Sequence, residues 1–406
     1  MSRKLLLVFL YLYALIFSVL KSARFPNEWA ESHWLLDYRF GFIKRGLAGE
    51  IFGWFFRKNE WSIAVLSSGI LLFLYILIFR IAVKETFRNE NSFPRILFFL
   101  IFFLSQYVVF SAHLIGYFDH VVFLLTILVI TLINRKKIFA ASLVAVFSIF
   151  IHEISFFLML PISFFALIVS EFQNKKFSFG DIFSKNILSK LALLFVLPVI
   201  ATISISFFQE INDENYFSII FNYLKQTSMI SDEVAGSVSS AYTKSFTYYF
   251  EGQKGHFIQR LFISKCTIYY GVPIAFCLWM IFREFNLKKN IQLFIVLTTV
   301  AFIPLLLHAI AYDTYRIWSF PFMILFLGFW ILSSKEITVK KEEVKRLSLV
   351  EIMFFIFSFL FVFLIPNELF DGETERFSLP VRLILMLPVF LILYFLKKPQ
   401  SKIDWG

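Results

Sequence analysis

The chain has 406 residues, 59% of them hydrophobic and only 17% charged, with a mean hydropathy of +0.76, a composition that excludes an ordinary soluble globular domain. Apolar runs of about 17–25 residues recur along it, each enough to cross about 30 Å of hydrocarbon. The ten-residue alternation of a β-barrel is missing, so the expected fold is all-α: a polytopic transmembrane helical bundle. Lys+Arg number 39 against 28 Asp+Glu, a net charge of +11 that fits cytoplasmic loops and is no evidence for nucleic acid as a partner. The 58 Phe residues accompany abundant Ile, Leu and Lys and reflect a lipid-facing composition rather than a binding motif. Cys266 and Cys277 are expected on one helix roughly 16 Å apart, too far for a disulfide.

The first element, "LLLVFLYLYALIFSVL", is followed by "FSVLKSARF" without a small-x-small cleavage site, so it is expected to remain as the first span. About twelve spans are expected, over 4–20, 61–83, 96–114, 118–133, 138–152, 154–170, 188–207, 266–282, 291–311, 317–333, 348–365 and 380–396. The run 138–170 is too long for one ordinary helix and is broken only at His152–Glu153. Two short helices folded at that pair are expected, with one long tilted helix as the alternative. A cytoplasmic N-terminus places "KETFRNENSFPR", "NRKK", "QNKKFSFGDIFSKN", "REFNLKKN", "SKEITVKKEEVKR" and the tail "KKPQSK" inside, so most basic residues and both termini are cytoplasmic. Residues 1–406 then form a single integral membrane domain, with 21–60 as the first periplasmic loop and 208–265 as a large one. The large loop contains "DENYFSIIFNYLKQ", an amphipathic helix candidate. No fixed-period repeat, P-loop, GxGxxG or Cys-rich metal pattern is present, which speaks against an ATP-driven pump.

The first outer loop runs against the topological bias: Lys21, Arg24, Arg39, Lys44, Arg45, Arg57 and Lys58 all fall in it. Trp29, Trp34, Trp54 and Trp61 have the spacing of an interfacial belt, and "GLAGEIFGWFF" reads as a short helix along the membrane surface. Between them, Asp37, Arg39, Lys44 and Arg45 read as a phosphate clamp at headgroup level beside a carboxylate, because Arg offers a bidentate fork and Lys a point charge. Plain anchoring on lipid headgroups is the alternative.

All six histidines fall at outer ends: His33, His113, His120, His152, His256 and His308. "SAHLIGYFDHVVF" sets His113 at the end of one span and Asp119–His120 at the start of the next, as a site or as an ordinary exposed turn. "FSIFIHEISFF" holds His152 and Glu153 among apolar neighbours, where a partner is required; a hydrogen-bonded structural turn is the other reading, and HExxH is absent. "HAIAYDTYR" places His308, Tyr312 and Arg316 on one helical stripe, with Asp313 three residues before Arg316 and able to pair with it. An Arg so placed meets an anionic group or locks the bundle. "PNELFDGETER" is a further outer polar cluster.

These features together resemble bacterial O-antigen and exopolysaccharide repeat-unit polymerases and, in outline, glycosyltransferases of the GT-C architecture. Three features carry the resemblance: an acidic residue of the first outer loop beside a surface helix (Asp37, with Glu28 and Glu31 as rivals); "NRKKIFAASLVAVFSIFIHEISFFLMLPI", similar to a His-containing span of exopolysaccharide polymerases; and a long late outer loop followed by an Arg-bearing helix start. The resemblance implies a polyprenyl-phosphate or -diphosphate sugar donor and a glycan acceptor, in a multi-pass protein of the bacterial inner membrane. Its phosphate leaving group suits Arg39, Lys44, Arg45 and Arg316. "KRGLAGEIFGWFF" also resembles the start of integral-membrane acyltransferases, a lower-ranked reading.

The expected mechanism has a carboxylate deprotonate an acceptor hydroxyl while Arg and Lys stabilise the departing phosphate. Asp37 is the first candidate base, Asp119 the second, and Glu153 a third carboxylate of the site. No cofactor is required, although an acidic pair with Mg²⁺ is an alternative. A flippase of lipid-linked oligosaccharide is the rival from another class; it calls for charges along a path through both leaflets, whereas here they gather at one end.

Overall fold

The computed structural model of the chain describes residues 2–88, 92–172, 176–211, 214–335 and 347–397. Much of the expected inner basic sequence (89–91, 173–175, 336–346 and the tail from 398) and Asp213 of the amphipathic candidate lie outside the described residues. Regular structure among the described residues is helical apart from one isolated antiparallel bridge, Glu368 to Thr374.

Helix α1 (Arg3–Ser22) leads into two short helices, α2 (Glu28–Leu35) and α3 (Gly46–Phe55), and then α4 (Glu60–Arg88). Helices α5 (Phe93–Leu104) and α6 (Gln106–His113) form one rod interrupted at Ser105, whose hydroxyl donates to the Phe102 carbonyl at 2.6 Å. Next come α7 (Asp119–Asn134), α8 (Ile138–Ile151), α9 (Ser155–Glu171) and α10 (Lys185–Ile211). The large loop folds into α11 (Glu214–Gln226), α12 (Asp232–Thr243) and α13 (Phe246–Gln253). The remainder is α14 (Cys266–Tyr269), α15 (Gly271–Glu284), α16 (Ile291–Phe302), α17 (Thr314–Ser334), α18 (Leu349–Phe363), α19 (Leu379–Leu385) and α20 (Leu387–Lys397).

Each of the expected apolar windows is helical, but among the described residues only 8 helical stretches are long and apolar enough to cross a membrane. The other windows, α7, α8, α9 and α18, have 16, 14, 17 and 15 residues. At 1.5 Å per residue they rise about 21–26 Å, short of a hydrocarbon core of about 30 Å. The run 138–170 divides at His152–Glu153: His152 is extended (φ −157°, ψ 119°), α9 restarts at Ser155, and the Ser148 and Ser155 hydroxyls close the turn at 2.9 Å. A single tilted helix is thereby excluded. Cys266 and Cys277 are buried and free, on α14 and α15.

Two helical stretches form the axis of the bundle. The α5–α6 window is 100% buried and that of α17 89%, against 22% for α10 and for α19–α20. Phe98 stacks on Phe329 and Phe102 on Phe326 across this axis. Lipid gives helices no hydrophobic reason to associate, so close packing of this kind holds them. Arg95 ties one end, with Nε 2.6 Å from Glu284 Oε1 and a further bond to the Glu85 carbonyl.

A second core joins the first loop to the large loop. Trp34, Leu36, Ile43 and Phe52 pack with Ile220 and Leu224 of α11 and with Val234, Val238 and Tyr242 of α12, over Phe118 and Ile151 at two helix ends. Each such side chain contributes roughly 1.5–3 kcal/mol when fully removed from water. Trp34, expected in an interfacial belt, is 5% exposed and donates its indole N–H to the Gly116 carbonyl at 2.8 Å, whereas Trp54 and Trp61 are exposed. Gly49 lets α3 lie against the preceding strand of chain: a Cβ there would stand 2.0 Å from the Leu36 carbonyl oxygen. This cap sets residues 44–45 over one end of the bundle.

Candidate functional site

The segment that positions the site is short and tightly turned. Asp37 caps the turn Tyr38–Phe40 by accepting from the Arg39 N–H, and Gly41 follows at φ +88°. Arg45, directly before α3, has φ 62° and ψ 0°, a left-handed conformation costing a non-glycine residue about 1–2 kcal/mol. Its guanidinium grips Glu153 in a fork: Nε donates to Oε2 at 2.8 Å, and Nη2 donates to Oε1. Residues 108 apart are joined by this pair, which fastens the cap to the α8–α9 turn.

From Glu153 the polar chain continues. His152 Nδ1 lies 3.1 Å from Glu153 Oε2, and His152 Nε2 lies 3.8 Å from Asp119 Oδ1. Asp119 is held in a second fork by Arg316 on α17, through Nε to Oδ2 at 2.8 Å and Nη2 to Oδ1 at 2.7 Å. Arg316 also meets Asp313 at 3.0 Å. Four elements of the chain, the first loop, the starts of α7 and α17, and the α8–α9 turn, are thus joined in the order Arg45, Glu153, His152, Asp119, Arg316, Asp313. Tyr117 lies under the Arg316 guanidinium, 5.3 Å from it, and Tyr242 lies 5.9 Å from that of Arg45.

These groups border a cavity of about 1020 Å³. Lys44, Arg45, Glu153, Arg316, Asp313 and His33 line it. So do Ser237, Ser240, Phe246, Tyr248 and Tyr249 from α12 and α13, and Tyr312. Lys44 is 5% exposed yet makes no hydrogen bond or ion pair among the described residues. Its ammonium stands over the rings of Phe246 at 5.7 Å and Tyr249 at 5.3 Å, with the charge of Glu153 nearby but not in contact. Burial pulls the Lys44 ammonium down to about 8. Burial pushes the Glu153 carboxyl up, but Arg45 and His152 outweigh it and hold the group well below the usual carboxylate range.

The structure separates the expected site residues into groups. Lys44, Arg45, Glu153, Asp313 and Arg316 share the cavity wall, with His152 and Asp119 directly behind. Asp37 and Arg39 are not among the lining residues. The Asp37 carboxylate takes both Arg39, with Nε at 2.7 Å from Oδ1, and Lys58; burial pushes it up, and these two donors leave it below its ordinary value. His120 bonds the Ser111 carbonyl at 2.9 Å. His113 lies 3.8 Å from Glu373, away from the cavity. His308 is fully buried beneath the cavity edge, and its carbonyl accepts from Arg260. Glu28 accepts from the Ser231 N–H at 2.7 Å, and Glu31 is buried, pushed up to about 7 by that burial and by Glu60 and Glu28. Neither lines the cavity.

Two features escaped the sequence. His33 Nδ1 meets the Tyr242 hydroxyl at 3.0 Å across 209 residues, and no local pattern announces that pairing. The hydroxyl- and ring-rich wall from "SSAYTKSFTYYF" did carry a signal, since so many Ser, Thr and Tyr together contrast with the apolar spans. Among the described residues no three His, Cys, Asp or Glu side chains converge as ligands of one metal ion, and arginines already engage Glu153 and Asp119, so these side chains do not suit a resident Mg²⁺. Comparison with protein families, curated proteins and solved structures found no match to the chain.

Proposed function

We propose that this chain is a multi-pass enzyme of the bacterial inner membrane that transfers or polymerises a lipid-linked sugar on the periplasmic face, in envelope-polysaccharide synthesis. The observation that carries the reading is one cavity lined by Lys44, Arg45, Arg316 and Glu153 together with hydroxyls and aromatic rings of α12 and α13. Cations with a buried, unpaired member suit the phosphate or diphosphate of a polyprenyl-linked donor. Rings and hydroxyls suit a sugar, which offers apolar faces for stacking and hydroxyls for hydrogen bonding. Membrane lipids surround the bundle, and a glycan is the acceptor. About twelve passes in a GT-C-like arrangement with both termini cytoplasmic complete the proposal; the helical state of each expected window supports the number of passes, with α7 and α8 crossing where the cap covers their ends.

In the reaction, an acceptor hydroxyl oxygen forms a bond to the sugar's anomeric carbon as its proton passes to a carboxylate. The bond from that carbon to the donor phosphate oxygen breaks, and the phosphate keeps the electron pair under Lys44, Arg45 and Arg316. Glu153 is the base in this reading, because it lines the cavity whereas Asp37 lies off it between two cations. Asp119, forked by Arg316, orients the relay through His152.

The test is glycolipid or polymer formation by membranes of complemented null cells, with expression checked by immunoblot. Glu153→Gln lowers turnover by about 10²–10⁴-fold, the usual worth of general base catalysis. Full activity in well-expressed Glu153→Gln protein removes Glu153 as the base. For topology, Tyr248→Cys and His256→Cys sit on exposed side chains and, in a Cys-free background, label with an impermeant thiol reagent from the periplasm. Labelling from the cytoplasm alone reverses the orientation.

A further inference from the structure

The resting site has a contradiction in it: the carboxylate best placed to act as a base is the one most firmly held by a cation. Glu153 is forked by Arg45, and a carboxylate so paired is a poor proton acceptor. One residue before Arg45 stands Lys44, buried on the cavity wall without any carboxylate in ion-pair contact. Resting on the function proposed above, we propose that the donor's phosphate binds by ion exchange: it joins Lys44, takes the Arg45 guanidinium from Glu153, and thereby releases Glu153 as the base.

Three observations support the exchange. Arg45 spends Nε and Nη2 on Glu153, while Nη1 has no partner among the described residues, so an anion beside Lys44 has a donor to seize first. Glu153 is not stranded when released, because His152 Nδ1 stays at 3.1 Å. The chain conformation at Arg45 is left-handed, so the turn fixes where its backbone stands at the cavity wall and the exchange needs only its side chain to move. Once a phosphate replaces Arg45 as its neighbour, the Glu153 carboxylate loses a cation and gains an anion nearby. Its proton affinity rises at the moment an acceptor hydroxyl needs deprotonating, and an empty site carries no active base. The groups facing Glu153 are Arg45 and Lys44 from the first loop, His152 beside it, Tyr242 from α12, Tyr249 from α13, His33 from α2, and Asp119 and Arg316 through His152.

The experiment uses the purified full chain in detergent, with geranyl phosphate as the isoprenyl phosphate probe and geraniol as its uncharged control. Calorimetry near pH 7 in two buffers of different ionisation enthalpy reads affinity and proton exchange together. Wild type is expected to bind geranyl phosphate, and not geraniol, with proton uptake of up to one per probe. Glu153→Gln, which no longer competes for Arg45, binds about 10-fold more tightly, the order of one charge-assisted hydrogen bond, and takes up fewer protons. Arg45→Met, with nothing to exchange, also loses the extra uptake, so the result does not depend on one variant folding. Lys44→Met binds at least about 10-fold more weakly. Binding by wild type that Lys44→Met weakens, with Glu153→Gln no tighter and its proton uptake unchanged, overturns the exchange while leaving the proposed function standing. No binding by wild type, or binding indifferent to Lys44→Met, overturns both.

Discussion

Lys21 and Lys44 are both buried lysines of the same expected outer loop, yet they are opposites. Lys21 donates to the Val362 carbonyl at 2.8 Å and stands 3.6 Å from Glu375, which Arg382 meets at 2.7 Å. Glu375 is also reached by the Asn367 amide, which in turn accepts from Tyr270. All three charged side chains of that knot are 0–1% exposed, and it pins the segment after α18 to the end of α1. Lys44 has rings around it and a cavity in front. The difference shows that a buried charge is structural where protein groups complete its shell, and available to a ligand where they leave it incomplete.

The sharpest break of this contrast comes from removing each cation in turn. Lys21→Met keeps the Glu375–Arg382 pair but strips the sealed Val362 carbonyl of its donor and Glu375 of its second cation, so stability falls by about 1–3 kcal/mol, read as lost thermal resistance and expression. Lys44→Met removes an uncompensated charge, so the protein is as stable as wild type or more so while geranyl phosphate binding drops by the factor given above. Equal destabilisation by both substitutions would erase the distinction. Asp37→Asn tests the same rule on a carboxylate: its Arg39 and Lys58 partners lose a charged acceptor, costing about 1–3 kcal/mol in chemical denaturation, with turnover within about threefold of wild type. The gentlest probe is pH. Burial lowers Lys44 to about 8, so the cation is present below that pH and lost above it, and probe binding declines through pH 8. Lys44→Arg carries that limb to higher pH, because a guanidinium stays charged. A limb that does not move would assign the titration elsewhere.

The apolar windows were readable because each is defined by its own residues, and so was the α8–α9 break, where His152 and Glu153 interrupt an otherwise uniform run. Partnership was not readable. Arg39, Lys44, Arg45 and Lys58 look alike as members of one basic loop, but Arg39 and Lys58 are spent on Asp37 while Arg45 reaches Glu153. Lys21 and Arg24, counted with them, belong to the segment after α18, through Glu375 and Glu373. Composition sets how many charges a loop holds, whereas tertiary packing decides which of them meet. Trp34 shows the same limit for an aromatic residue, since Phe118 and the Gly116 carbonyl, brought in from more than 80 residues away, turn an expected interfacial ring into a buried one.

That shared core between the first and large loops also has a bearing on biosynthesis. The His33–Tyr242 contact spans 209 residues, and synthesis at about 5–20 residues per second separates its two halves by roughly 10–40 s. During that interval α2 and α3 have crossed or reached their surface without α11 and α12, and the turn bearing Lys44 and Arg45 is in place before either Glu153 or its roof has emerged. The site is therefore assembled from its oldest part forward, and a nascent chain stopped before residue 214 carries Lys44 and Arg45 without the pocket that gives them a use.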